Sequence, residues 1–188
     1  VYLQGASNNG VGLTHDIGAA PEKFVLKVSV RVDTTIDNLN AAVGMQDTSW
    51  GHGRIDFRNQ DSGPGIYAYL GPYHSSGMVR LSDYTAGVWY DITETYDYAT
   101  RTYGVVINGV DYGDSFTLPG SRTPDRILIS SGNGPGTSPA YFANVCSGAL
   151  PDPASPMLIA AAAACVLARR PRVSAPGALR RLSHFQHR

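Results

Sequence analysis

Between Lys23 and Val32 the chain alternates almost without a break. Phe24, Leu26, Val28, Val30 and Val32 fall on one side; Lys23, Lys27, Ser29 and Arg31 fall on the other, with Val25 the one apolar residue among them. A strict period of two predicts a strand with one face in a core and one in water. Shorter segments follow the same logic. Val11 to Ile17 lies between Asn8-Asn9-Gly10 and Gly18-Ala19-Ala20-Pro21, and Leu39 to Met45 is apolar. Arg54 to Arg58 alternates with Ile55 and Phe57 inward, while Gly65 to Leu70 and Met78 to Leu81 are bounded by Gly or Pro. No segment before residue 156 has a 3.6-residue period. The expectation is an all-β body of one domain.

Residues Gly87 to Leu118 carry the clearest order. Trp89, Ile92 and Tyr96 predict a strand that ends at the polar turn Asp97-Tyr98-Ala99-Thr100, and Thr102 to Ile107 returns. Asn108-Gly109 is a strong hairpin signal, because both central residues of a type I′ turn need positive φ. A third strand is expected over Tyr112 to Leu118. This meander resembles the laminin-G-like, concanavalin-type jelly roll, in which a Trp opens a strand, a polar turn reverses it and an Asn-Gly hairpin follows. Tyr141 to Val145 resembles the closing strand of such domains; Ala143 stands where they often carry an acid, which removes one calcium ligand. The resemblance covers most of residues 1–148 and implies a two-sheet antiparallel sandwich.

Residues 149–172 read differently. Pro151-Asp152-Pro153-Ala154-Ser155 leads into twelve apolar residues, Met157 to Ala168, closed by Arg169-Arg170. The composition predicts a short helix with no polar face, entered through prolines and stopped by a cationic cluster. The whole resembles the PEP-CTERM sorting tail of bacterial exported proteins, with Asp152 where the family usually has Glu. That resemblance implies export ahead of a membrane-held stage, a secretory signal upstream of Val1, and an exosortase-like processing enzyme as partner. Twelve helical residues span about 18 Å, against a hydrocarbon core of about 30 Å, so a helix docked on the body is the alternative. Residues 173–188 form a basic tail whose composition predicts disorder.

The formal net charge of zero hides two unlike parts. Nine Lys and Arg face fifteen Asp and Glu up to Ala168, and six arginines with no acid follow. A mildly acidic body argues against nucleic acid, and the basic end suits a cytoplasmic membrane face. Cys146 and Cys165, placed by pattern in different environments, make poor candidates for one disulfide.

Candidate chemistry is sparse. Asp91 and Glu94 point to opposite faces of their strand, and Asp91 and Asp97 are about 20 Å apart along it, too far for glycoside hydrolysis. Glu94 shares a face with Ile92 and Tyr96, yet an acid paired or solvated at a strand edge is the favoured reading. No histidine has zinc-site spacing, and no serine sits in a nucleophile elbow. Calcium stays unassigned: Asp33, Asp37 and Asn38, or Asp111 and Asp114, offer oxygens without a ligand loop. No cofactor is expected.

Two loops stand out by their aromatics. Asp47 to Gly53 holds Trp50 and His52, and Gly71 to Gly77 holds Tyr73 and His74. Aromatic side chains on loops of a rigid sandwich commonly present a ligand face, and sugars stack their C–H faces on such rings. The sequence therefore reads as an exported, envelope-associated, non-catalytic binding module for polysaccharide or cell-surface glycan. An extracellular carbohydrate-active hydrolase of the same fold, or a purely structural envelope protein, are the alternatives.

Overall fold

The computed structural model describes residues 1–5, 11–18, 21–36, 38–46, 51–60, 62–70, 77–118, 124–132 and 138–150, with backbone alone at 5, 51, 52 and 138. The sorting motif (Pro151, Asp152, Pro153, Ala154, Ser155, Arg169 and Arg170) and the expected apolar helix lie outside the described residues.

Thirteen strands are described. They are β1 (Tyr2–Gly5), β2 (Gly12–Asp16), β3 (Lys23–Val32), β4 (Asn38–Gln46), β5 (Gly51–Gln60), β6 (Gly63–Tyr69) and β7 (Met78–Asp83). Then come β8 (Trp89–Asp97), β9 (Thr102–Ile107), β10 (Val110–Asp111), β11 (Phe116–Thr117), β12 (Arg126–Ser131) and β13 (Ser138–Ala149). One sheet has the order β1-β13-β3-β8-β9-β10, with β11 also pairing β9; the other has the order β2-β12-β4-β5-β6-β7. Neighbouring strands pair antiparallel, as in β3 with β8 and β4 with β5. The protein is an all-β sandwich of two antiparallel sheets.

Alternation builds the core. Phe24, Leu26, Val28, Val30 and Val32 of β3 are all buried, as the period-two pattern predicts. They meet Val43 and Met45 of β4, Ile55 and Phe57 of β5, Ile66 of β6, and Ile127 and Ile129 of β12 in one cluster. Each such side chain taken out of water contributes about 1.5–3 kcal/mol. Ser29, on the outward face of β3, is nonetheless buried. Its Oγ donates to Asp91 Oδ1 at 2.6 Å and accepts from Asn144 Nδ2 at 3.0 Å. Asn144 has φ 53 within a bulge of β13, between Ala143 and Cys146, that brings its side chain there.

The Asn108-Gly109 turn takes φ values of 51 and 82, the type I′ geometry that the dipeptide predicts. Asn108 also ties the turn to β8: its Oδ1 accepts from the Asp91 N–H and its own N–H donates to Asp91 O, both at 2.8 Å. The expected third strand over Tyr112 to Leu118 is instead two short pieces, β10 and β11, on the same edge of β9. The break falls at Gly113, with φ 97. There the Gly113 N–H is taken by the Asp111 side chain rather than by a ladder partner.

Three further points differ from, or extend, the sequence reading. β1 and β12 had no clear signal. β13 runs one residue past the expected boundary at 148, and Leu150 N still donates to Lys23 O at 3.0 Å. Cys146 is disulfide-bonded, against the expectation drawn from its sequence environment. It follows the bulge and is only half-buried, so its sulfur is not committed to the core.

Candidate functional site

Of the four residues proposed from sequence, only the backbone of His52 is described. Trp50, Tyr73 and His74 lie outside the described residues; His52 is on β5, paired with Met45, with its side chain outside them. The stems of their two connections are described. Gln46 pairs with Gly51 and Tyr69 pairs with Met78, and Leu70 N donates to Gly77 O at 3.2 Å. Strand order puts β5 and β6 side by side and antiparallel. Both connections therefore open at the same end, next to the start of β5.

The strands below that end carry a polar cluster that sequence reasoning missed. With Ile55 and Phe57 turned into the core, Arg54, Asp56 and Arg58 must point away from it. On β6, Ala68 and Ile66 are inward, so Tyr67 and Tyr69 share the outer face, and Arg80 of β7 is in register with Tyr67. The signal was present in Arg54-x-Asp56-x-Arg58 and Tyr67-x-Tyr69: polar and aromatic residues at period two on strands whose other face is apolar.

Asp56 is fully buried and is held from both sides. Arg54 Nη2 and Arg58 Nε donate to its Oδ2 at 2.9 and 2.8 Å. Arg54 Nε lies 2.7 Å from Oδ1 without hydrogen-bond direction, so that contact is ionic. The Arg54 guanidinium lies 4.5 Å from the centroid of the Tyr69 ring, and Arg58 Nη2 donates to Tyr69 Oη at 3.2 Å. Arg80 Nη1 donates to Tyr67 Oη at 3.0 Å, and Arg80 is paired with Asp83 at 2.6 Å. Burial opposes the Arg54 charge, but the Asp56 carboxylate and Tyr69 more than offset it, so the guanidinium is held above its already high range. Burial, then the charge of Asp56, pushes the Tyr69 phenol up, and the arginines pull it only part of the way back. Tyr69 is a neutral phenol at physiological pH.

Glu94 corrects the reading of an acid at a strand edge. It is fully buried, facing the core with Ile92 and Tyr96. Tyr96 Oη lies 2.7 Å from Gly53 O and 2.5 Å from Glu94 Oε2. A phenol has one proton, and a carbonyl can only accept. With the phenol proton on Gly53 O, the short contact requires a protonated Glu94 that donates to Tyr96. Burial drives its pKa well above the carboxylate range, and the charge of Asp56 adds to the rise, so the acid holds the proton that this contact needs. Gly53 is fixed by this arrangement. Its φ is 62, and a Cβ there would lie 2.6 Å from Tyr96 Cε1.

Among the described residues no three His, Cys, Asp or Glu side chains converge to hold a metal. The outer face presents a single acid on β5 and β6, Asp56, committed to two arginines.

No family model matches the chain, and no curated protein matches it. Solved structures do. The chain is similar to a sialidase, with a TM-score of 0.64 and 16% identity over 79% of this chain. It spans only 15% of that protein. It is similar to alginate lyase AlyC3, with a TM-score of 0.57 and 11% identity over 80% of this chain and 75% of that one. The carbohydrate recognition domain of Emp47p gives a TM-score of 0.55 and 13% identity over 78% and 79% of the two chains. The fold is a concanavalin A-like jelly roll. At these identities the likeness concerns the fold.

Proposed function

We propose that this protein is an exported, envelope-associated jelly-roll module that binds polysaccharide or cell-surface glycan without cleaving it. The observation that carries the reading is the outer face of β5, β6 and β7. It places two tyrosines and three arginines on strands whose ends lead into residues 47–50 and 71–76, the segments in which the sequence reading puts Trp50, Tyr73 and His74. Rings for the C–H faces of a sugar and polar groups for its hydroxyls thus share one end of a rigid sheet. The likeness to the carbohydrate recognition domain of Emp47p and to alginate lyase AlyC3, also solved in complex with dimannuronate, supports a carbohydrate role for this architecture.

The proposal that cleavage does not occur is directed at hydrolysis. Hydrolysis of glycosides needs two carboxyl groups about 5–9.5 Å apart around the bond. Here Asp56 is neutralised by arginines and Glu94 is sealed in the core. The tail from Pro151 to Arg170 supplies the localisation, as a sorting segment of PEP-CTERM type handled by an exosortase-like enzyme.

Full-length protein on a glycan array, followed by tryptophan fluorescence titration, tests the binding role. Binding that weakens about tenfold or more in Trp50→Ala is the expected result. Unchanged binding in that variant removes Trp50 from the site, and release of reducing ends by the wild type overturns the non-catalytic assignment.

A further inference from the structure

The outer face of β5 and β6 has a charge that sugar binding in general does not require. Asp56 is the only acid those two strands place there, and it answers two guanidiniums. Arg80 is matched separately by Asp83. One positive charge is left over, on side chains only 17% and 8% exposed. A cation held mostly out of water is stable beside an opposite charge or strong acceptors, and costly otherwise.

Hydrogen-bond direction says the same. Tyr69 Oη accepts from Arg58 and Tyr67 Oη accepts from Arg80. Neither hydroxyl donates to any described residue, so both protons are free to be given. Among the described residues of β5 and β6 the one carboxylate, Asp56, is taken. A ligand here meets donors and positive charge, and must bring acceptors and negative charge.

We infer that the ligand of this face is a polysaccharide bearing carboxylate groups, bound with one acid on Arg54 and the Tyr69 hydroxyl donating beside it. This rests on the glycan-binding reading above and specifies its chemistry. A carboxylate is planar and takes two parallel N–H bonds from a guanidinium, and Arg54 is the more exposed of the pair. Stacking on Tyr69 fixes the Arg54 plane before any ligand arrives, which lowers the ordering cost of binding. A general field does not draw such a polymer in. The chain up to Ala168 carries six more acids than bases, so the attraction is local to this cluster.

The test is isothermal titration of full-length protein with oligogalacturonate, with its fully methyl-esterified form, and with neutral cello-oligosaccharide. The acid is expected to bind about tenfold or more tighter than its ester, since the ester keeps the sugar and loses the charge. Arg54→Gln is expected to erase that preference, and Tyr69→Phe to reduce it while keeping the ring under Arg54. Thermal melts of both variants separate lost binding from lost fold. Equal affinity for acid and ester overturns the inference and leaves the glycan-binding reading standing. A preference for acid that survives in a folded Arg54→Gln places the charge recognition elsewhere and also overturns it. No binding to any of the three overturns the inference, while the glycan array decides the broader reading.

Discussion

Two buried acids in this molecule are handled in opposite ways. Asp56 is met by two arginines; Glu94, with only a phenol beside it, is protonated. Removing the counter-charge should therefore be severe. Asp56→Ala leaves two largely buried guanidiniums facing each other, and a loss of about 3–5 kcal/mol is expected in urea unfolding. For Glu94 the expectation is a pH dependence. Its folded pKa lies well above the unfolded carboxylate value of about 4.3, so the folded state holds a proton that the unfolded state has lost. Stability from this group is complete below that value and declines as pH rises toward the folded pKa. Glu94→Gln keeps the shape and cannot ionise. Its advantage over the wild type should widen from about pH 5 upward, by up to about 1.4 kcal/mol per pH unit. A gap that stays constant between pH 5 and pH 7 would mean that Glu94 is charged in the fold.

At the scale of elements, the Asn108-Gly109 hairpin is the part most closely dictated by local chemistry. A Cβ on Gly109 would meet nothing within 4 Å, so only its φ of 82 resists substitution. Gly109→Val should cost on the order of 1–2 kcal/mol, read as a lowered unfolding midpoint; no change would contradict the turn assignment. The same locality explains what the sequence revealed. β3 and β8 announce themselves because one face is apolar and the other polar along their length. β12, Arg126-Ile-Leu-Ile-Ser-Ser, hides its period because Leu128 interrupts the alternation on the outer face. Phe116 and Thr117 were expected to continue one strand with Tyr112, but a glycine in positive φ breaks it. The polar face was legible in part. The alternation of Arg54 to Arg58 was plain and marked Ile55 and Phe57 as inward. What the intervening charges do depends on Tyr67, Tyr69 and Arg80, which reach them only through strand pairing. Glu94 shows the limit from the other side: its parity was readable, but burial in mid-core is a property of the second sheet closing over it.

At the scale of the whole molecule, the proposed sorting segment follows the β-sandwich body in the chain. Residues 1–150 complete the last strand, and the apolar run comes after it. Full-length protein should partition with membranes, whereas a chain ending at Leu150 should stay soluble and folded by circular dichroism. Aggregation of the shortened chain, beside a full chain soluble without detergent, would favour a helix docked on the body. The two outer faces also differ. On the seven-stranded sheet Tyr2, Tyr141, Arg31 and Trp89 stand in register across four strands, with Arg31 lying 4.1 Å from the Tyr141 ring and 5.4 Å from Trp89. That row satisfies itself by stacking, and the six-stranded sheet keeps unspent donors. The most direct check is hydrogen exchange of the full-length chain with and without a saturating glycan taken from the array. Slowed exchange confined to peptides spanning 51–60 and 63–69 is the predicted result. Slowed exchange on 2–5, 89–97 and 138–149, with β5 and β6 unchanged, would place the ligand on the opposite sheet and contradict the account.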